Sequence, residues 1–401
     1  MENLIYLNVR SVNHHLPLLR ITKKTHFNDW LNLVSFSSWP SNQQSRVHKL
    51  KTPWNMASTV SPIPTITNNE LNFGFVMDEI GVRLCQKIVR DDKIPLMCWS
   101  GGIDSTSILV CILKNATQEF LQRLIILMDD NSIRENTFFY SKYIKDKIHT
   151  QDINNFFVTP ENYNKIVILD GECGNQCMGW RTIQILSYLE KFDVLNSRYK
   201  THGHLINNFF TDFNVDANID KFLKSVRIDS KHFSYIKNYF NSPESRIREL
   251  IDESIKYSPV PIETNYDYIW WTNFNFKWDD VLLRKINIWT RNLTPEQSRY
   301  FWENSLCRFY QDDKMQMWSM NSKDLRREKT TIFSKYYSKK YIFDFDGNDL
   351  YFENKRESYS STNQYEDLNA GKDNIFAIDK EWNKYDILNK ETLKLFMGKL
   401  E

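Results

Sequence analysis

Apolar residues recur along the first half of this chain with two alternating periods. From Asn69, which can cap a first turn, Leu71, Phe75, Ile80, Leu84 and Ile88 follow at spacings of roughly three to five, the stripe of an amphipathic helix. "IPLMCW" (94–99) is then apolar throughout, as a strand covered on both faces would be. Ile108, Leu109, Ile112 and Leu113 restore the helical period, and "RLIILM" (123–128) gives a second buried strand. "SIRE" (132–135) reads as a capping box that opens a helix to about Lys147. "NFFV" (155–158) reads as a short strand, "KIVIL" (165–169) as a firm one, and a helix is expected over 176–189. Strand and helix in alternation imply parallel strands joined by crossovers, hence an α/β doubly wound parallel sheet over residues 69–190. Ligands of such sheets bind beyond the carboxyl ends of the strands. Glycine-bearing turns follow Trp99 and Leu169, at two such ends.

The flanking regions carry different patterns. Residues 1–68 hold Pro40, Pro53, Pro62 and Pro64 without a sustained period, which predicts an irregular amino-terminal segment. Residues 191–343 read as mainly helical. Ser242 and Pro243 open a stripe of Ile247, Leu250, Ile251 and Ile255, and Thr294, Pro295 and Gln297 form a capping box ahead of "SRYFWENSLCRFY". Between them residues 268–289 read as one long helix whose tryptophans fill a core. From Asp344 a polar tail runs to residue 401, and no internal repeat is evident.

Composition narrows the class. Of 401 residues, 41% are hydrophobic and 25% charged, the balance of a globular protein. The formal charge of +2 lacks the basic excess of a chain that lives on nucleic acid, a partner neither supported nor excluded. The start "MENLIYLNVR" shows no secretory pattern, and no run nears the ~18 apolar residues of a membrane span. A cytoplasmic protein, with six reduced cysteines, is the expectation. The 20 Tyr and 26 Phe, with many Asn, Lys and Ile, are what AT-rich coding produces in a virus or a low-GC bacterium.

The turn after Trp99 carries the chemistry. Ser100, Gly101, Gly102, Ile103, Asp104, Ser105 and Thr106 match neither a Walker loop nor a dinucleotide fingerprint. Gly101 and Gly102 can expose main-chain N–H groups to a pyrophosphate, Ser100, Ser105 and Thr106 can donate hydroxyls, and Asp104 can hold Mg²⁺. This SGGxDS pattern after a buried strand resembles the signature of the PP-loop ATP pyrophosphatases, which split ATP between its α and β phosphates. "ILDGECGNQCMGW" (168–180) resembles the GEGxDE segment of asparagine synthetases and β-lactam synthetases, with Gly171 and Glu172 matching. The resemblance gives the segment's aspartate a second Mg²⁺ to hold, yet Asn175 stands there and Gln176 follows, so both carboxylates have become amides. Asp170 is a candidate substitute ligand.

The resemblance implies an ATP-dependent adenylating amide ligase, with Asp104, Glu172 and Lys355 as catalytic residues. Lys355, in "FENKRESYSS", would neutralise charge in the transition state. ATP would bind through Ser100, Gly101, Gly102, Asp104, Ser105, Thr106, Gly171 and Asn175, with adenine near Leu127–Asp129 and hence on Met128. Mg²⁺ would rest on Asp104 and Asn175. The partners implied are ATP and a small carboxylate or amine acceptor. The resemblance leads one to expect a chain without the glutaminase domain of the glutamine-using synthetases, as in stand-alone synthetase-like proteins of phages, so that the amine would come free, on a substrate, or from a separate subunit. Two alternatives remain: modification of a nucleobase by amidation or thiolation, and a degenerate nucleotide-binding protein without activity. Cys98, Cys111, Cys173 and Cys177 invite a sulfur or metal reading but include no CxxC pair, and His202 with His204, or His14 with His15, lack further ligands.

Overall fold

The strands that the apolar runs predict lie side by side in one sheet. The computed structural model describes residues 4–7, 45–47, 61–67, 72–179, 192–200, 252–330, 335–354 and 375–386. In chain order the strands are β1 (Leu4–Leu7), β2 (Ile94–Cys98), β3 (Ile125–Met128), β4 (His149–Asp152), β5 (Ile166–Asp170), β6 (Leu306–Arg308), β7 (Ile375–Asp379) and β8 (Lys384–Asp386). The chain divides into two compact units, one of residues 64–178 and 284–374, the other of residues 1–63, 179–283 and 375–401.

The first unit is α/β. Its five strands run in the order β4-β3-β2-β5-β6, every neighbouring pair parallel. The chain builds outward from β2 through β3 to β4, then returns to the other side of β2 with β5 and β6. The reversal lies between β2 and β5, whose carboxyl ends carry the two glycine turns, and such a switch point leaves a crevice for a ligand. Ile126, Leu127, Ile168 and Leu169 are at most 1% exposed, which is why their strands read as apolar runs without alternation.

The helices around this sheet correct several expectations. Helix α1 (Phe73–Arg90) starts at an Asn72 cap, three residues beyond the expected Asn69, because the Asn72 side chain accepts from the Phe75 N–H. Helix α2 (Ile103–Asn115) follows the first glycine turn. Helix α3 (Asp130–Glu135) is capped by Asp129 with Ser132, rather than by Ser132 with Glu135, and the expected run to Lys147 breaks at Asn136 into a short turn and a π-helical turn over Tyr140–Ile144. "NFFV" is not a strand. The pairing beside β3 falls to His149–Asp152, whose polar face suits an edge. Helix α4 (Gly174–Met178) begins the helix expected over 176–189, the rest of which lies outside the described residues.

The long helix expected over 268–289 is two helices. The first spans Asn265–Phe276, and α5 (Trp278–Trp289) follows a break at Lys277. Helix α6 (Pro295–Asn304) keeps its capping box of Thr294 and Gln297 but stops at Ser305, and "LCR" leaves it to become β6, in register with Ile168, Leu169 and Asp170. Helix α7 (Tyr336–Asp346) closes the expected helical half, running three residues past 343 to end on Gly347, and α8 (Asp349–Asn354) follows where a polar tail is expected. Tyr341 on α7 hydrogen-bonds Asp78 of α1, which also takes Lys114 of α2 at 2.9 Å, tying the three helices together.

In the second unit β1, β7 and β8 form an antiparallel sheet in the order β1-β7-β8. Every residue of the helix Asn265–Phe276 is buried. Arg46 lies against it, donating to the carbonyls of Ser61, Pro62 and Phe274 with its guanidinium over the rings of Phe274 and Trp278. The stripe after Ser242 and the histidines at 14, 15, 202 and 204 lie outside the described residues. No helix among the described residues is long and apolar enough to cross a membrane.

Candidate functional site

The turn from Ser100 to Thr106 joins β2 to α2 at the switch point. Gly101 adopts φ +72°, and a methyl group placed on it would lie 2.4 Å from the Ser132 carbonyl oxygen, so both the reversal and the close pass over α3 demand glycine. Its carbonyl accepts from the Tyr351 hydroxyl at 3.1 Å. The Ser100 and Ser105 hydroxyls lie 3.0 Å apart, the Ser100 N–H donates to Ser105 Oγ, and the Gly102 N–H donates to Ser100 Oγ. Thr106, expected to face phosphate, is instead fully buried, its Oγ1 accepting from the Trp99 indole N–H at 3.1 Å.

Gly102 caps α2 without a side chain to offer. Helix geometry therefore leaves the N–H groups of Ile103, Asp104 and Ser105 without intrahelical acceptors, and the 13-residue helix adds partial positive charge at this end. An anion suits that place.

The second turn closes on the first. A methyl on Gly171 would stand 3.1 Å from Ser105 N, and one on Gly174 would stand 2.5 Å from Asp104 Cγ. Bare backbone at these positions lets the second turn pack directly against the first turn of α2. Cys173, between them, takes φ +68°, a backbone that a side chain rarely adopts.

Charge is balanced by buried lysines. Lys335 Nζ donates to Asp104 Oδ2 at 2.6 Å, with side chains 7% and 19% exposed. Asp104 Oδ1 is buried with no hydrogen-bond partner, and the Asp104 carbonyl accepts from the Tyr310 hydroxyl at 3.3 Å. Lys285 on α5 pairs with Glu172 at 2.8 Å. Asp170, the last residue of β5, is 2% exposed; one oxygen accepts the Glu172 N–H at 3.1 Å and the other is buried without a partner. Burial pushes its carboxyl up to about 6, against the opposing pull of Lys285, with Glu172 adding to the rise and Arg308 of β6 opposing it. Burial, with the Asp170 charge second, likewise pushes the thiols of Cys98 and Cys307 up to about 12.

Set beside known proteins, the chain matches no family model, no curated protein and no solved structure. Its chemistry has to be read from its own atoms.

Of the residues expected at the site, Ser100, Gly101, Gly102, Asp104, Ser105, Gly171 and Glu172 come together around the two turns. Met128 ends β3 on the adjoining strand and is 6% exposed, and Asp129 beside it is engaged in capping α3, accepting the Ser132 N–H at 2.9 Å. Asn175 is exposed in the first turn of α4, whereas Gln176 is buried. Lys355 lies outside the described residues. The sequence reading missed Lys335, Lys285, Tyr310 and Tyr351, which stand 231, 113, 206 and 250 positions from their partners; only the folded chain joins them.

The donors in place do not fit a resident Mg²⁺. Asp104 has one oxygen on an ammonium and the other shut in against Gly174, and Asn175 brings no charge. Among the described residues, no three His, Cys, Asp or Glu side chains gather as a metal site.

Proposed function

We propose that this protein is an ATP-dependent adenylating amide ligase of the PP-loop, asparagine synthetase-like kind. The observation that carries the reading is the junction of the two glycine turns at the switch point, where the resembled segments meet with Gly174 against Asp104 and Gly171 against Ser105. Cys173 adds support, because its left-handed backbone falls where the GEGxDE pattern has its second glycine.

In this reading the triphosphate of ATP lies on the main chain of Ser100–Ser105, with adenine toward Met128 at the end of β3. An acceptor carboxylate oxygen attacks the α-phosphorus, a new P–O bond forms, and the bond to the β-phosphate breaks, releasing pyrophosphate onto the turn. The lone pair of an amine then attacks the acyl carbon, AMP leaves, and the amine loses a proton. Lys335 takes the charge-neutralising part that the sequence reading gives to Lys355. The buried ammonium and the α2 terminus face the leaving group, and catalysis rests on positioning and electrostatics. Magnesium accompanies ATP in the resembled family.

The test is release of pyrophosphate from ATP with candidate carboxylates and amines. Wild type should release it, and Asp104→Ala should lose at least about tenfold in rate, the scale of one transition-state interaction. Equal release from both proteins refutes the assignment. A nucleotide-binding protein without turnover is the second reading, favoured by the Lys335–Asp104 pair and the two amides. It predicts binding of a non-hydrolysable ATP analogue with no release from ATP.

A further inference from the structure

The cradle carries more buried positive charge than its sequence motifs declare. Lys335 is the decisive residue: its side chain is 93% buried by its 7% exposure, and an ammonium has three donors, of which Asp104 takes one. The two N–H bonds that Asp104 leaves over are free in direction to meet a bound anion. Lys285 neutralises Glu172 in the turn that lies on the start of α2. Around the junction, among the described residues, the carboxylates of Asp104, Asp170 and Glu172 are matched by Lys335, Arg308 and Lys285. Glu135 of α3, beside Gly101, adds a further carboxylate, and the N-terminus of α2 adds partial positive charge at the turn.

A divalent cation entering this arrangement would have to displace an ammonium from Asp104 or remain beside it. Both outcomes are unfavourable, since like charges at contact repel strongly in a site screened from water. The uncharged amides at Asn175 and Gln176 fit the same picture. Carboxylates there would serve a second metal, and lysines make them redundant.

We infer that this cradle grips a polyphosphate through lysine ammoniums and main-chain N–H groups, without a resident divalent cation. The inference rests on the phosphate-binding part of the proposed function and specifies its counter-ions. Lys335 bridges Asp104 to the bound phosphate, and Lys285 holds the second turn neutral.

Calorimetric titration of the full chain with inorganic pyrophosphate, in EDTA and in excess Mg²⁺, tests it. The wild-type Kd in EDTA should stay within about threefold of the Kd in Mg²⁺, while Lys335→Gln raises the EDTA value at least about tenfold and Lys335→Arg, which keeps the charge, changes it by about threefold or less. Binding that weakens about tenfold or more in EDTA overturns the inference and leaves the phosphate site standing. An unchanged Kd in Lys335→Gln overturns it as well. Absence of binding in both buffers overturns the phosphate site itself. The two wild-type arms need no variant, so a misfolded mutant cannot obscure the outcome.

Discussion

Replacing Gly101 with alanine probes the geometry on which the site depends. Two costs add at this position. The left-handed backbone, φ +72°, strains any side chain by about 1–2 kcal/mol. The new methyl would also meet the Ser132 carbonyl oxygen at 2.4 Å and Glu135 Cβ at 2.9 Å. The first obstacle is main chain of α3, held by the Asp129 cap through two hydrogen bonds to Ser132, so it cannot swing aside as a flexible side chain would. Overpacking of that kind costs about 1–3 kcal/mol, giving about 2–5 kcal/mol together. Gly347 supplies the control. It has φ +67° and nothing within 4 Å of its added methyl, so Gly347→Ala bears the backbone strain alone, about 1–2 kcal/mol. Urea unfolding followed by circular dichroism reads both variants against wild type at a common m-value. The reasoning fails if Gly101→Ala is no more destabilised than Gly347→Ala, because the close pass of the turn over α3 would then be absent.

Two further outcomes follow from the buried charges. Asp170 titrates in the folded chain at about 6, above its ordinary 3.8, so between those values the folded state holds the extra proton and stability falls as pH rises. Asp170→Asn should lack that slope, gaining on wild type by up to about 3 kcal/mol between about pH 4 and pH 7 in urea midpoints; parallel profiles would remove the buried ionisation. Cys98 and Cys307, pushed up to about 12 from 9.0, should react with iodoacetamide about a thousandfold more slowly in the native chain than in urea at about pH 8. Fast native labelling of Cys98 would restore the sulfur-transfer alternative.

Legibility along the chain tracked contrast between neighbouring residues. Strands β2, β3 and β5 are apolar on both faces and flanked by polar turns, so each stood out. The helix Asn265–Phe276 is buried on all sides and thus has no polar face to mark its period, which is why its end at Lys277 was invisible within a longer aromatic run. Strand β6 is three residues long and follows a well-capped helix, so its letters continued the helical period. Only pairing with β5 made it a strand, a tertiary override of local preference.

The site divided along the same line. A glycine turn announces itself, because backbone that approaches another segment closely tolerates few other residues. Its neutralising cations do not. Lys335 sits in "SKYYSKK", and nothing in that run separates the ammonium that reaches Asp104 from the equally buried Lys339 or the more exposed Lys340. What selects it is the path of the chain. Lys335 immediately precedes α7, which the Tyr341–Asp78 bond and the Lys114–Asp78 pair fasten to α1 and α2, so the helix that begins at Ile103 also fixes where the lysine arrives. Breaking that tether with Tyr341→Phe would leave every expected site residue in place and still loosen the ammonium from Asp104. The motif is therefore a necessary part of the phosphate cradle and an incomplete one, and its charge is set by a helix more than 200 positions away.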